Sequence, residues 1–501
     1  MRITMIGHAS IFVETEDCNI LMDPVLFDPH AEGIADICPE REVIHDQIPE
    51  FDVLIISHKH IDHFDIRSLA SLSKNVDVFI PKDKILQNSL RELGYFNIYP
   101  LGDFDEVKIG STTLLTTRSE YRVPEFGILV ADPSGVFWNQ VDSEVNLDTI
   151  RSVKSRYPQI DFLLAPWQPM LELNYQNNSS LSFPYVEYNR VLETINLIQP
   201  KAIAPGANGF KFIAGSSFLN QIVFPVTREQ FCRDIKIICP EIKDNVFALD
   251  PGDVLTINKD KFSKSEGNCL FINKLEESRE GLDFSPVNIG NNLIDDNPDN
   301  YDIDDMRKAI EEEVCLNLPR LIMEQKDSTF IEHFRWQITY QLEIIFPDYI
   351  CKWHFDFSGN NIQAYQGRNP LANLVTVITA SSFYGFIKRI KSWDYVHIGG
   401  YYRSFEKIYL ATMHGIIKPE KPGNMQDPIE LMFPYNELFQ QVRQQEIEMW
   451  KQPTEDLPIS NKRETFMMKT GNTFVRLAKK SNNRKIEKRE STESLELIHS
   501  S

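Results

Sequence analysis

Residues 51–63 read FDVLIISHKHIDH, and this stretch decides the fold. Phe51 and Asp52 lead into four consecutive apolar residues, Val53 to Ile56, a run that suits a short strand buried on both faces. Directly after it come Ser57, His58, Lys59, His60, Ile61, Asp62 and His63, which place three of the chain's 11 histidines and an aspartate within six positions. A strand end releases the chain into a loop, where side chains at alternate positions can converge. His58 and His60 can face one ion, while Asp62 and His63 reach a second ion or the same one from the other side. Imidazole and carboxylate donors suit zinc, iron or manganese. The stretch therefore reads as a metal site at the end of a buried strand.

Upstream, RITMIGHASIFVET and CNILMDP suggest a hairpin with Asp17 and Asn19 near its turn. Asp23 follows NILM at another strand end, where it is expected to accept a hydrogen bond from a ligating imidazole and fix its tautomer. His8, in the first strand or its turn, is expected behind the ligands, as a buried or pocket-lining histidine. Downstream, a helix is expected from about Ile66, then the strand VDVFIP, a helix over KILQNSLRELGY, and NIYPLG. The pair EVKIGSTTLLTT and FGILVADPSGVFWNQ follows, then the buried strands DFLLAP and PKAIAPG. Strands alternating with helices imply a layered α/β architecture. The expected organisation is a metal-binding domain over 1–250 and a polar acidic connection over 251–310. A helical, aromatic-rich domain over 311–450 and a basic flexible tail over 451–501 complete it.

Composition narrows the function. With 32 Phe, 17 Tyr and 6 Trp among 501 residues the chain has ample core-forming material, which excludes global disorder. Acidic residues outnumber Lys plus Arg by 72 to 52, a net charge of -20 that argues against nucleic acid as a partner. Seven cysteines without a CxxC pair form neither a disulfide framework nor a zinc ribbon. No apolar run reaches the length of a membrane span and the first residues lack a signal-peptide pattern, so a cytoplasmic location is expected. No G-x-G-x-x-G or Walker sequence points to a nucleotide cofactor. HFDFSGNN and WDYVHIGGYYR mix aromatic, polar and glycine residues, and Asn208, His354, His397 and Arg403 are candidate substrate contacts.

GHASIFVETEDCNILMDP followed by SHKHIDH resembles the metallo-beta-lactamase superfamily, whose hallmark is His-x-His-x-Asp-His after an early strand. The resemblance implies an αββα sandwich, here with a C-terminal α-rich extension, and metals at one end of the sheets. Members are mostly zinc hydrolases of lactams, thioesters, phosphodiesters and lactones, and some hold iron for oxygen chemistry. The superfamily supplies a bridging aspartate late in the sheet, for which Asp142 after GVFWNQV is the candidate. It also supplies a histidine before the strand FGILV, where this chain reads TTRSEYRVPE and offers Glu120 or Tyr121 instead. A last histidine is due after KAIAP, where Ala207 and Asn208 stand. The implied ligands are His58, His60, Asp62, His63, Glu120 and Asp142, with Asp62, His63 and Tyr121 as the catalytic candidates.

Two missing histidines make a facial triad of His58, His60 and Asp142 on Fe(II) an attractive reading. The same residues can build a single zinc site that activates water. Within the superfamily the chain is most similar to the beta-lactamase-like portion of CMP-N-acetylneuraminate hydroxylase, through MIGHASIFVE, FDVLIISHKHIDH, VFWNQVD and IQPKAIAPGANGF. That enzyme's Rieske domain needs paired Cys/His ligands, and Cys351-x-x-His354 stands alone here. The expected function is accordingly a non-haem iron oxygenase acting on a small polar substrate, such as a sugar- or nucleotide-containing one, with a separate electron-donor protein. A zinc-dependent hydrolase of an ester, lactone, amide or phosphodiester is the alternative, and a metal-retaining binding module the third.

Overall fold

The computed structural model describes residues 1–121, 123–275, 279, 281–288, 293–359, 361–419, 425–451 and 465–478. Two eight-stranded sheets stack face to face. The first runs in the order Lys261–Ser265, Val254–Asn258, Arg2–Gly7, Ser10–Glu14, Asn19–Met22, Val53–Ile55, Asp77–Pro81 and Asn97–Leu101. The second runs Ala202–Pro205, Phe162–Ala165, Gly135–Asn139, Phe126–Asp132, Thr112–Arg118, Glu106–Ile109, Thr473–Ala478 and Thr465–Thr470.

Side-chain alternation assigns the faces. Ile3, Met5, Ile11, Val13, Ile20, Val53 and Ile55 point from the first sheet into the space between the sheets. There they meet Leu114, Ile128, Val130, Phe137, Phe162 and Leu164 from the second. The outer face of the second sheet, with Leu115, Leu129, Trp138 and Leu163, is covered by Ile150, Val153, Ile195, Ile198, Phe231 and Ile235 from three helices. The outer face of the first sheet packs on Leu69, Leu86 and Leu90. The helices carrying these residues begin at caps the sequence provides: Asp65 accepts from Ser68 N, and Asp83 from Ile85 N at 2.7 Å. The result is the expected αββα order.

The region after residue 250 departs from its sequence reading in three places. Residues 254–265, read as part of a polar connection, are the edge hairpin of the first sheet. Residues 465–478, read as part of a flexible basic tail, form a hairpin whose Thr473–Val475 pairs in parallel with Glu106–Lys108 and extends the second sheet. Residues 479–501 lie outside the described residues. The segment read as helical also contains a five-stranded sheet, in the order Tyr365–Gln366, Ile350–Asp356, Thr339–Ile345, Leu374–Thr379 and Tyr402–Glu406. Alternating polar and apolar residues in LEIIFPDYICKWHF carry that strand signal, and aromatic richness masked it.

This C-terminal unit shares one continuous core with the outer side of the first sheet. Met306, Ile310, Leu342, Trp393, Phe439 and Val442 belong to the same cluster as Ile6, Phe12, Leu54 and Val78. A buried ion pair fixes the junction. Arg443 donates through Nη2 to Glu32 Oε1, with both side chains 3% exposed, and the Ser392 N–H donates to Glu32 Oε2 at 2.9 Å. Removing Arg443, which also pairs with Glu446 at 3.0 Å, leaves buried carboxylate charge without its cation, at a cost of about 3–5 kcal/mol. Arg443→Ala is therefore expected to lower the thermal unfolding midpoint clearly, as read by scanning calorimetry. An unchanged midpoint would show that the pair does not hold the junction.

Candidate metal centre

The centre lies where strand ends of both sheets meet. Asn19–Met22 and Val53–Ile55 run parallel in the first sheet, so Asp23 and Ser57 leave side by side. Gly135–Asn139, Phe162–Ala165 and Ala202–Pro205 run parallel in the second and deliver Asp142, Trp167 and Ala207 to the same end. After Ser57 the chain turns tightly, with His63 N and Phe64 N both donating to His60 O. That turn lifts Asp62 and His63 beside His58.

Asp23, fully buried, organises the histidines. Its Oδ1 accepts the Ser57 N–H at 2.7 Å, and its Oδ2 accepts the Ser57 hydroxyl at 2.6 Å and lies 3.1 Å from His63 Nδ1. The same Ser57 hydroxyl is 2.9 Å from His58 Nδ1. With Nδ1 of both rings engaged, their Nε2 atoms are left for an ion.

Two groups of donors result, each with its ligand atoms within 4.8 Å of one another: His58, His63 and Asp142, and His8, Asp62 and His63. Asp142 Oδ2 is 3.0 Å from His63 Nε2 and 3.9 Å from His58 Nε2, and Asp62 Oδ2 is 3.2 Å from His8 Nε2. Despite these separations, Nε2 of His8, His58 and His63 and Oδ1 of Asp142 are buried with no aligned hydrogen-bond partner. Buried polar atoms converging without partners fit a bound cation. The nitrogen and carboxylate donors suit zinc and iron alike.

The charges agree. Burial and the nearby His63 and His60 rings hold His58 well below the usual histidine range. Burial also acts to lower His63, but Asp142 and Asp62 overcome it and raise that ring well above its usual value. Burial pushes the carboxyls of Asp62 and Asp142 up, and the imidazoles, His63 foremost, bring both down below the carboxylate range. The carboxylates stay ionised and call for positive charge between them, which an ion can supply in place of a proton on His63.

The backbone is strained around this point. His8, Asp23, Val141, Ala207 and Asn208 all have positive φ, from 40 to 53°. For a β-branched residue such as Val141 this is rare, and such strain gathers where the surrounding structure fixes a functional geometry. Gly209 is needed here: a Cβ on it would lie 3.1 Å from His8 N.

Several expected residues stand differently in the structure. His8 lies within a donor group rather than behind it, because the expected long first strand breaks at Gly7 and turns the ring inward. His60 packs edge-on to His58, with ring centroids 4.5 Å apart, but is in neither donor group. Glu120 is not brought to the cluster, since Arg118 at 3.2 Å and Asn146 at 2.8 Å engage it at the surface. Tyr121 is 56% exposed, and partial burial with the Asp142 and Glu144 carboxylates pushes its phenol up to about 12. Asn208 adjoins His8 in the lining of a cavity. His354 stacks on Tyr365 in the third sheet, and none of its contacts reaches the cluster.

His397 and Arg403 approach through an intermediary. Their elements, Trp393–Ile398 and Tyr402–Glu406, pack on the helix Glu172–Gln176, and Arg403 stacks on Tyr175 at 4.7 Å. His397 Nε2 is buried without a partner, and burial lowers that ring to about 4.

Two acids were missed in the sequence. Glu125, directly before the strand Phe126–Asp132, is buried and accepts the Ser119 hydroxyl. Desolvation, with Asp142 adding, raises it to about 7. It occupies the region where the superfamily pattern calls for a histidine, and an acid abutting a buried strand was the available signal. Glu172, held up at about 7 by desolvation with Asp62 and Asp142 contributing, has a buried Oε2 without a partner. It had no local signal.

Comparison with known proteins agrees with this architecture. Residues 2–131 match the family described as "Beta-lactamase superfamily domain". The chain has the metallo-beta-lactamase αββα fold with a C-terminal extension. It is 27% identical, over 34% of its length and 36% of theirs, to proteins of Mycobacterium tuberculosis named for a Rieske 2Fe-2S centre. It thus spans about a third of the length of these curated relatives. A metal-dependent hydrolase of Salinibacter ruber is 32% identical over 22% of this chain and 43% of its own. Among solved structures, an isothiocyanate hydrolase from Delia radicum gut bacteria is similar at 16% identity, with TM-score 0.39, over 52% of this chain and all of that one. CmlA, a diiron beta-hydroxylase from Streptomyces venezuelae, is similar at 18% identity, with TM-score 0.37, over 51% of this chain and 54% of that one. Among the described residues no helix is long and apolar enough to cross a membrane.

Asp23→Asn keeps the shape at that position but removes an acceptor for His63 Nδ1–H. It is expected to weaken metal binding 10–100-fold, measured by competition with a chromophoric chelator. Unaltered affinity would mean that Asp23 serves only the backbone of Ser57.

Proposed function

We propose that this chain is a zinc-dependent hydrolase of a small ester, lactone, amide or phosphodiester. One observation carries the reading: His8 Nε2 stands 3.2 Å from Asp62 Oδ2, in a donor group with Asp62 and His63. An iron facial triad suits a site short of histidines. His8, from the turn between the first two strands, relieves that shortage, and two adjacent donor groups suit a pair of ions acting on one bond. The metal-dependent hydrolase named among the relatives supports the same choice.

In this reading His58 and Asp142 would hold one ion and His8, Asp62 and His63 the other, with His63 Nε2 within reach of both. Bound there, zinc supplies an acidified water and a place for negative charge to develop. The protein's own groups do the rest. Asp23 and Ser57 keep the Nδ1 protons of His63 and His58 in place, so that neither ring turns. Glu172, raised to about 7 by burial and with Oε2 unengaged, would pass a proton to the departing alcohol or amine. The hydroxyl of water joins the acyl or phosphoryl centre, the bond to the leaving group breaks, and water's remaining proton restores the Glu172 carboxyl.

A second reading draws on the Rieske names of the mycobacterial relatives and on the resemblance to CMP-N-acetylneuraminate hydroxylase. It is an iron oxygenase served by a separate electron donor.

Glu172→Gln is expected to lower kcat about 10²–10⁴-fold on ester or phosphodiester substrates while leaving metal content intact. His8→Ala is expected to halve the zinc bound per chain. Turnover that needs oxygen and a reductant, with no hydrolysis, would favour the second reading.

A further inference from the structure

Beside the metal centre lies a cavity of about 210 Å³ that touches His8 and Asn208 at one end. Met5, Trp167, Phe210, Phe224, Val226 and Leu249 supply the apolar part of its walls. Arg228 also lines it, its Nη1 paired with Asp250 and its Nε buried without a partner. The walls are held in place independently of any occupant. The Trp167 indole N–H donates to Ala207 O at 3.3 Å, and Gln168 makes two hydrogen bonds to the backbone of Val226, at 2.5 and 3.0 Å.

We propose that this cavity is the substrate's acyl subsite. It takes an apolar chain of about six carbons, or a phenyl-bearing group, from an ester or amide whose reacting carbonyl lies at the His8 end. The proposal rests on the hydrolase reading and deepens it. Three features carry it. The cavity adjoins a residue of a donor group, so a chain lying in it brings its head to the metals. Its size exceeds the roughly 150 Å³ of an apolar cavity that accepts benzene, which leaves room for a substituted ring or a medium chain. Its lining sets these apolar walls beside polar side chains of Gln168, Thr227 and Glu229, to which a polar atom of the chain can turn. Hydrolysis there adds the hydroxyl of water to the acyl carbon, breaks its bond to oxygen or nitrogen, and sends water's other proton to that atom, releasing an alcohol or amine. The apolar acid remains in the cavity.

The test uses p-nitrophenyl acetate, butyrate and hexanoate with the protein as purified. KM is expected to fall about four-fold for each methylene added between butyrate and hexanoate, the effect of burying one CH₂. Val226→Trp, which fills the cavity, should reduce the roughly 16-fold butyrate-to-hexanoate ratio to near one. Leu249→Ala, which enlarges it, should extend the preference to octanoate. A KM independent of chain length, or a ratio that survives Val226→Trp, would overturn the subsite. Failure to cleave any of the esters would instead count against the hydrolase reading, so occupancy is measured separately. Quenching of Trp167 fluorescence by 6-bromohexan-1-ol, taken as the difference from Trp167→Phe and lost in Val226→Trp, supports an apolar ligand in the cavity. Absence of quenching overturns it.

Discussion

The carboxylate of Asp23 is the constraint on which the rest of the centre depends. It is wholly buried, and every oxygen lone pair with a visible partner points to Ser57 or His63. Through the Ser57 N–H it binds the ends of two parallel strands together. Through Ser57 Oγ and His63 Nδ1 it sets the direction of two imidazoles. A buried carboxylate is stable only when its charge is answered by hydrogen bonds. The geometry that stabilises Asp23 is thus the geometry that presents His58 and His63 to an ion. Fold and site share one interaction, and strain at His8, Val141, Ala207 and Asn208 surrounds it.

The C-terminal unit is part of this arrangement. Lys59, between the two first histidines of the motif, donates to Asn436 at 2.6 Å and lies over the rings of Tyr435 and Phe439. Asp394, buried and bonded by the Tyr435 hydroxyl at 2.6 Å, is raised by burial and drawn back first by His60. The helix Glu172–Gln176 links the metal end of the sandwich to Arg403 and the element bearing His397. The loop that carries the ligands is clamped from outside as well as from below.

Much of this was legible in the sequence because the signals were local. The buried strand Val53–Ile55, the turn that follows it and the helix at Ile66 are each read from a few neighbouring residues, and they locate His58 to His63. What stayed hidden depends on tertiary closure. In MIGHASIFVE the isolated Gly7 is the one local mark of the strand break, and the direction in which that break turns the His8 ring is set by tertiary packing. Glu172 carries no local signal and Glu125 only its place before a buried strand, because burial is conferred by segments distant in sequence. The sheet of the C-terminal unit was concealed for a related reason. Its aromatic residues serve a packed face equally well in helix or strand, and only pairing partners far along the chain decide between them.

Anomalous diffraction from crystals of untagged protein, purified without added metal and recorded on both sides of the zinc and iron edges, tests the central claim most directly. The account predicts two zinc peaks, one held by His8, Asp62 and His63 and the other beside His58 and Asp142, both vanishing below the zinc edge. A signal at the iron edge, or a single ion with His8 outside its coordination sphere, would contradict it.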